Sequence, residues 1–297
     1  YAVSSLLKSR KEFSRLALSY GAGFLISLYL GGHETIDAIR GYTRATGGFL
    51  NPNSLGIAAL VCFYLNISVL LGSETGVRVK ILNGLFILAG LYGMLAAVSR
   101  NTLAAAAAGG IVIAVYLPLI KKIRWTIIIA CLLIAAAALL PVSIYKTIST
   151  RVTPESIKES NWSMRRDIWT DYLRVADKYF FLGTGLGRSP EAIRETYTFD
   201  SPRPMVPHQT YLQILVEFGI IGLIIFLAAI WELLRRGFSK ASPNAAGIEN
   251  TVMLSLLIAF IVYGLTGGIL GERTVWLALG CIGFVQSRLE VSPGSRH

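Results

Sequence analysis

The sequence predicts an all-α, polytopic helical membrane protein with about eight transmembrane helices and one long external loop. Three observations predict it. Hydrophobic residues make up 54% of the 297 and charged residues only 15%, with a mean hydropathy of +0.58. A soluble domain carries charge on nearer a quarter of its residues. Apolar runs close to the ~20 residues that cross a bilayer recur along the chain. Basic residues gather at alternate ends of those runs, as they do at cytoplasmic turns. The net charge of +11 would point to nucleic acid in a soluble chain. Here it points to anionic lipid or an anionic lipid-linked substrate, and no nucleic-acid partner is expected.

Taken in order, Lys8, Arg10, Lys11 and Arg15 precede the first apolar run, residues 16–30, which makes the N-terminal side cytoplasmic. A polar outer connection, residues 31–53, leads to an inward span over 54–71. Arg78 and Lys80 mark a cytoplasmic turn before the span 81–98. Ser99, Arg100 and Asn101 form a tight outer turn, and residues 102–119 return inward. Lys121, Lys122 and Arg124 precede the fifth span, 125–145. The long polar segment 146–207 then lies outside. It holds ten of the 28 basic residues, but the charge bias is counted over short loops and span ends, so the alternation still decides its side. The sixth span opens at His208 and closes at Arg235 and Arg236. Residues 251–270 and 275–286 complete the count, with both ends cytoplasmic. Three regions follow: residues 1–145 with five spans, the external loop 146–207, and residues 208–297 with three spans. The chain begins with Tyr1, and further spans are expected ahead of it. Ala104 to Ala108 with Gly109 and Gly110, and the pair Gly264 and Gly268, suit close helix approach in lipid.

The external loop has its own pattern. Met164, Ile168, Tyr172, Val175 and Tyr179 fall at helical spacing, which predicts an amphipathic helix over 163–180 lying on or over the outer face. It ends in the glycine-rich string 183–187. With no strand before it and no dinucleotide-binding unit after it, that string reads as a turn. Ser189, Pro190 and Glu191 start a second short helix. Pro202, Pro204 and Pro207 bring extended chain to His208. The cysteines Cys62, Cys131 and Cys281 sit in apolar runs without partners at metal or redox spacing. The three histidines are dispersed, so neither a metal nor another cofactor is expected.

Three inward-running helices begin near Ser54, Thr102 and His208, and each turns unpaired N–H groups and partial positive charge outward. Arg44, Arg100, and the pair Arg165 and Arg166 precede them. If those starts are neighbours, they bind a phosphate or diphosphate. Each residue has a plainer alternative. Arg44 is an interfacial anchor or an anion ligand. Arg100 either snorkels or binds. Arg166 solvates the loop helix or binds. His208 caps its helix or acts as a base. Glu217, nine residues into its span, needs a partner or a proton.

Four strings in order, GGFLNPNSLG after Arg44, AVSRNTL around Arg100, RDIWTDYL with FLGTGLG, and HQTYLQILVEFGIIG, resemble the superfamily of O-antigen ligases and polymerases. The likeness runs from about Arg44 to Trp231. It implies a bacterial cytoplasmic-membrane glycosyltransferase whose active site faces the periplasm or exterior. Such an enzyme moves a glycan from undecaprenyl diphosphate to lipid A core or to a growing polysaccharide. The resemblance makes His208 the catalytic residue and Arg100 and Arg166 diphosphate ligands, and Arg44, by its place before the first inward helix, joins them as a diphosphate ligand. Asn51, Asn53, Gln209 and Glu217 are then supporting groups. The family histidine is often followed by asparagine, and here Gln209 takes that place. The competing reading is a transporter or flippase for lipid-linked oligosaccharide. A transporter carries polar groups through its spans and often internal repeats, whereas here the charges gather at one face.

Overall fold

The structure is a computed structural model. It describes residues 6–31, 35–37, 42–49, 51–72, 76–116, 136–137, 139–140, 142–151, 162–194, 206–242 and 245–288. The helices are α1 (Arg10–Leu30), α2 (Pro52–Gly72), α3 (Val77–Ala96), α4 (Arg100–Tyr116), α5 (Val142–Arg151), α6 (Trp162–Lys178), α7 (Ser189–Arg194), α8 (Thr210–Ser239), α9 (Ala245–Gly264) and α10 (Arg273–Arg288). Between α1 and α2, strands β1 (Thr35–Asp37) and β2 (Tyr42–Arg44) form a short antiparallel hairpin, with Thr35 opposite Arg44. The fold class is the helical membrane protein expected. Seven of the eight expected spans correspond to described helices. Among the described residues five helices, α1, α2, α3, α8 and most of α9, are long and apolar enough to cross a membrane, and α4 is a shorter apolar helix. The expected span 125–145 lies largely outside the described residues, as do His33, Arg40 and Cys131.

The chain divides into two compact units. One comprises Tyr1–Ser149, Leu233–Val262 and Glu272–His297; the other comprises Thr150–Glu232 and Tyr263–Gly271.

The first unit is built around α2. This helix is apolar on every side, and nearly all of it is buried, as expected of a helix with no solvent-facing stripe. It packs against α1, α3, α4 and α10. Hydrogen bonds run between α2 and the helices beside it. Tyr20 Oη donates to Ala58 O at 3.2 Å, Cys62 Sγ to Phe86 O at 3.4 Å, and Tyr64 Oη to Ala106 O at 3.0 Å. Small residues set the spacing. A Cβ at Gly90 of α3 would sit 3.0 Å from both Ala59 O and Phe63 N, so the two backbones approach as closely as glycine allows. At its start, α1 carries a capping box, with Glu12 N donating to Ser9 Oγ at 3.2 Å and Ser9 N to Glu12 Oε2 at 3.0 Å. The 2.7 Å ion pair Arg10–Glu249 ties α1 to α9. Gln286 Nε2 donates to Leu233 O at 2.9 Å and Asn250 Nδ2 to Gly237 O at 2.8 Å, which holds α10 and α9 to the end of α8.

In the second unit, the periodicity over 163–180 forms α6, and Ser189 and Pro190 open α7, both as the spacing predicts. The apolar face of α6 is covered by protein. Ile168, Tyr172 and Val175 pack against Ile193 of α7 and Leu212 and Val216 of α8 in one buried cluster. A protein surface of matching shape takes up the stripe that an isolated amphipathic helix would offer to lipid. Tyr179, expected on that stripe, is partly exposed.

Replacing Gly90 by leucine should force α2 and α3 apart and cost on the order of 1–3 kcal/mol, as overpacking does. Thermal unfolding in detergent should show a lowered midpoint for Gly90→Leu. Gly23→Leu, where a Cβ meets nothing within 4 Å, should leave it unchanged.

Candidate functional site

In the first unit the starts of α2 and α4 meet, and the expected site residues there are knitted together. Asn51 Oδ1 accepts from Asn53 N at 2.9 Å and Ser54 N at 3.0 Å, so Asn51 caps α2. Asn53 Oδ1 in turn accepts from Arg44 Nη2 at 3.1 Å and from Ser99 Oγ at 3.3 Å. Arg44 Nε donates to Ala97 O at 2.9 Å, and Ala45 N to Ala96 O at 3.0 Å. Arg44 therefore grips the turn between α3 and α4, the turn in which Val98 takes a φ of 45°. Ser99 caps α4 through Thr102 N at 3.4 Å. Arg100 follows as the first residue of α4, with its side chain exposed. Ser54 Oγ donates to Glu272 Oε1 at 2.6 Å, bringing a carboxylate to the start of α2.

In the second unit His208 stands two residues ahead of α8 in the left-handed region, at φ 48°. A side chain with a Cβ is uncommon there, and the surroundings must hold it. They do so from both sides. Trp169 Nε1 of α6 donates to Pro207 O at 2.8 Å. Gln209 Oε1 accepts from Leu212 N and caps α8. Thr210 Oγ1 donates to Gly267 O at 2.8 Å and accepts from Ile269 N at 3.2 Å, anchoring the helix start to the turn after α9. The His208 ring reaches solvent, while the protein packed behind it lowers its pKa below the ordinary 6.5. The Arg165 guanidinium is a second, smaller cause. The neutral imidazole is thereby favoured.

Deeper in the same unit α8 is interrupted. Gly219 has φ 67° and ψ −173°, and the helix resumes beyond it. The freed backbone groups are taken up by the glycine-rich turn. Thr184 N donates to Val216 O at 2.8 Å, Gly185 N to Glu217 O at 2.9 Å, and Ile220 N to Phe180 O at 2.8 Å. A Cβ at Gly219 would collide with the backbone of Phe181 and Leu182, and one at Gly183 with that of Glu217. The Glu217 side chain is buried. Its Oε1 accepts from Ser189 Oγ at 2.8 Å and Gln213 Nε2 at 3.2 Å, while Oε2 has no hydrogen-bond partner among the described residues.

Arg44, Asn51, Asn53 and Arg100 thus lie in the first unit, and Arg166, His208, Gln209 and Glu217 in the second. Arg166 is exposed on α6, and its neighbour Arg165 supplies the field at His208. Sequence reasoning missed Trp169, Ser189 and Glu272 as partners. Each acts across 28 to 218 residues of chain, and only Trp169 was signalled, by its place in the third string.

The fold and these sites define a polytopic α-helical membrane protein with an exposed histidine just ahead of one helix. Residues 85–227 match the family described as O-antigen ligase, in agreement with the resemblance. Three of the four strings lie inside that stretch, and the asparagine–proline–asparagine string lies before it. The chain is also 30% identical over 93 residues to a Rickettsia conorii protein named "Putative polysaccharide ligase". The match takes in 31% of this chain and 21% of that protein.

Two outcomes follow for His208. Arg165→Gln should raise its pKa part-way toward 6.5, since burial remains; histidine NMR titration checks this. The sign also fixes the stability. The neutral ring's contribution is complete above the unfolded-state value and is lost as pH falls through the lowered folded value. Trp169→Phe should keep the ring packing yet release Pro207 O, giving faster amide exchange at His208 and Gln209 by mass spectrometry.

Proposed function

We propose that the chain is a glycosyltransferase of the O-antigen ligase type. It moves a glycan from undecaprenyl diphosphate to an acceptor, lipid A core or a growing polysaccharide, at the outer face of the bacterial cytoplasmic membrane. The observation that carries this reading is His208, an exposed imidazole two residues ahead of a candidate span, favoured in its neutral form and held in one backbone conformation. A positioned neutral histidine is a competent general base.

In this reading an acceptor hydroxyl gives its proton to His208 as its oxygen attacks the anomeric carbon. The carbon–oxygen bond to the diphosphate breaks, and undecaprenyl diphosphate leaves with the electron pair. The exposed guanidinium groups of Arg100 and Arg166 are each suited to stabilise the negative charge that grows on the departing oxygens. Arg44 serves by holding the turn that presents Arg100. The O-antigen ligase match over residues 85–227 supports the reading, because it includes Arg100, Arg166 and His208.

Reconstitution with undecaprenyl-diphosphate glycan and candidate acceptors tests it. His208→Ala should lower transfer by roughly 10²–10⁴-fold, the usual worth of a positioned base, with membrane insertion unchanged. Arg100→Ala should also abolish transfer. Transfer retained in both variants defeats the mechanism. In the wild type the acid limb of the rate profile should fall below pH 6.5, the ordinary histidine value, and move upward in Arg165→Gln.

A further inference from the structure

We infer that residues 179–186, which follow α6 in the external segment, enter the bilayer and contact lipid acyl chains at the level of the break in α8. Three observations on the second unit lead there. The first is exposure. Phe181, Leu182 and Leu186 are 69%, 77% and 74% exposed, on a turn whose glycines Gly183, Gly185 and Gly187 have positive φ. Such a cluster of large apolar side chains is rarely left to water.

The second is depth. α8 changes character at its break. Leu212, Ile214 and Val216 before it are buried in protein, whereas Phe218 at its edge and Ile221, Ile224, Ile225 and Trp231 beyond it are exposed. The uncharged run from Phe218 to Trp231 has 14 residues and rises only about 21 Å, against a hydrocarbon thickness of about 30 Å. A bilayer that surrounds it must extend past one end. Beyond Trp231 stand Glu232, Arg235 and Arg236, which are costly to immerse. Past Phe218, acyl chains meet the segment hydrogen-bonded to Val216, Glu217 and Ile220, and that segment presents Phe181, Leu182 and Leu186.

The third is backbone chemistry. A helix break within hydrocarbon is tolerated only where its polar groups are paired inside protein. The bonds from Thr184 N, Gly185 N and to Phe180 O pair them at 2.8–2.9 Å, an arrangement that open water would not require. The surface is continuous with the lipid-facing side of α8, so bilayer lipid is its occupant.

Spin labels on the full chain in donor-free phosphatidylethanolamine and phosphatidylglycerol vesicles test this. Cys62, Cys131 and Cys281 are replaced by serine, and single cysteines are placed at Phe181, Leu182 or Leu186. Ile225 serves as the lipid reference, and Thr170 and Glu191 as aqueous references. Accessibility to oxygen relative to a water-soluble nickel chelate should be positive in logarithm at 181, 182 and 186, as at 225, and negative at 170 and 191. Nickel-accessible labels at all three positions overturn the inference. Labels closed to both reagents overturn it in favour of a protein partner. Oxygen accessibility that appears only after undecaprenyl phosphate is added overturns it in favour of an isoprenoid ligand. The labelled side chains are exposed, and circular dichroism with gel-filtration elution verifies that the serines at the buried Cys62 and Cys281 leave the fold intact.

Discussion

The hydrogen bonds between the break in α8 and the glycine-rich turn constrain the whole second unit. A helix that stops at Gly219 and starts again leaves carbonyls and an N–H without partners, and in an apolar setting that is expensive. The turn after α6 supplies partners for them. Once it does, α6 is fixed over the first turns of α8, its apolar stripe is buried on Leu212 and Val216, and Trp169 comes within reach of Pro207 O. The conformation of His208 is thus tied to a break eleven residues further along the chain. Ser189 and Gln213 add to the same arrangement by bonding the Glu217 carboxylate beside the break.

The first unit solves a different problem with related means. Its central helix α2 is apolar all round, so sequence specificity comes from where small residues let neighbours approach and where isolated polar groups find a backbone carbonyl. Asn66 Nδ2 and Asn83 Nδ2 each bond the carbonyl one turn earlier, at Cys62 and Val79. At the helix starts, by contrast, polar side chains are dense. Asn51, Asn53, Ser99 and Arg44 cap two helices and clamp the turn between α3 and α4, so that Arg100 projects from a turn that is itself held.

How far the sequence revealed this depends on the range of the interaction. Hydropathy runs and basic flanks are local, and they placed most of the helices to within a few residues, but α1 and α8 start or end further into their charged flanks than expected and α9 lies six residues earlier at both ends than the span expected over 251–270. The 3.6-residue spacing of Ile168, Tyr172 and Val175 gave α6, but not what its apolar stripe would meet, because lipid and protein satisfy the same pattern. The caps at Asn51 and Gln209 were within reach of motif reasoning. The clamp of Trp169 on Pro207 was not, since an indole N–H seeks any acceptor and spacing says nothing of which. Nor did composition suggest a break at Gly219, where one glycine among several carries a conformation closed to other residues.

The burial of α2 also bears on how the protein is made. A helix with no side meant for acyl chains reaches its final surroundings only after α3 and α4 have followed it out of the insertion machinery. Until then its apolar sides suit acyl chains, and by length and composition it can cross a membrane by itself. Biogenesis therefore asks α2 to be comfortable in two environments in succession, which a central helix rich in charged pairs could not be.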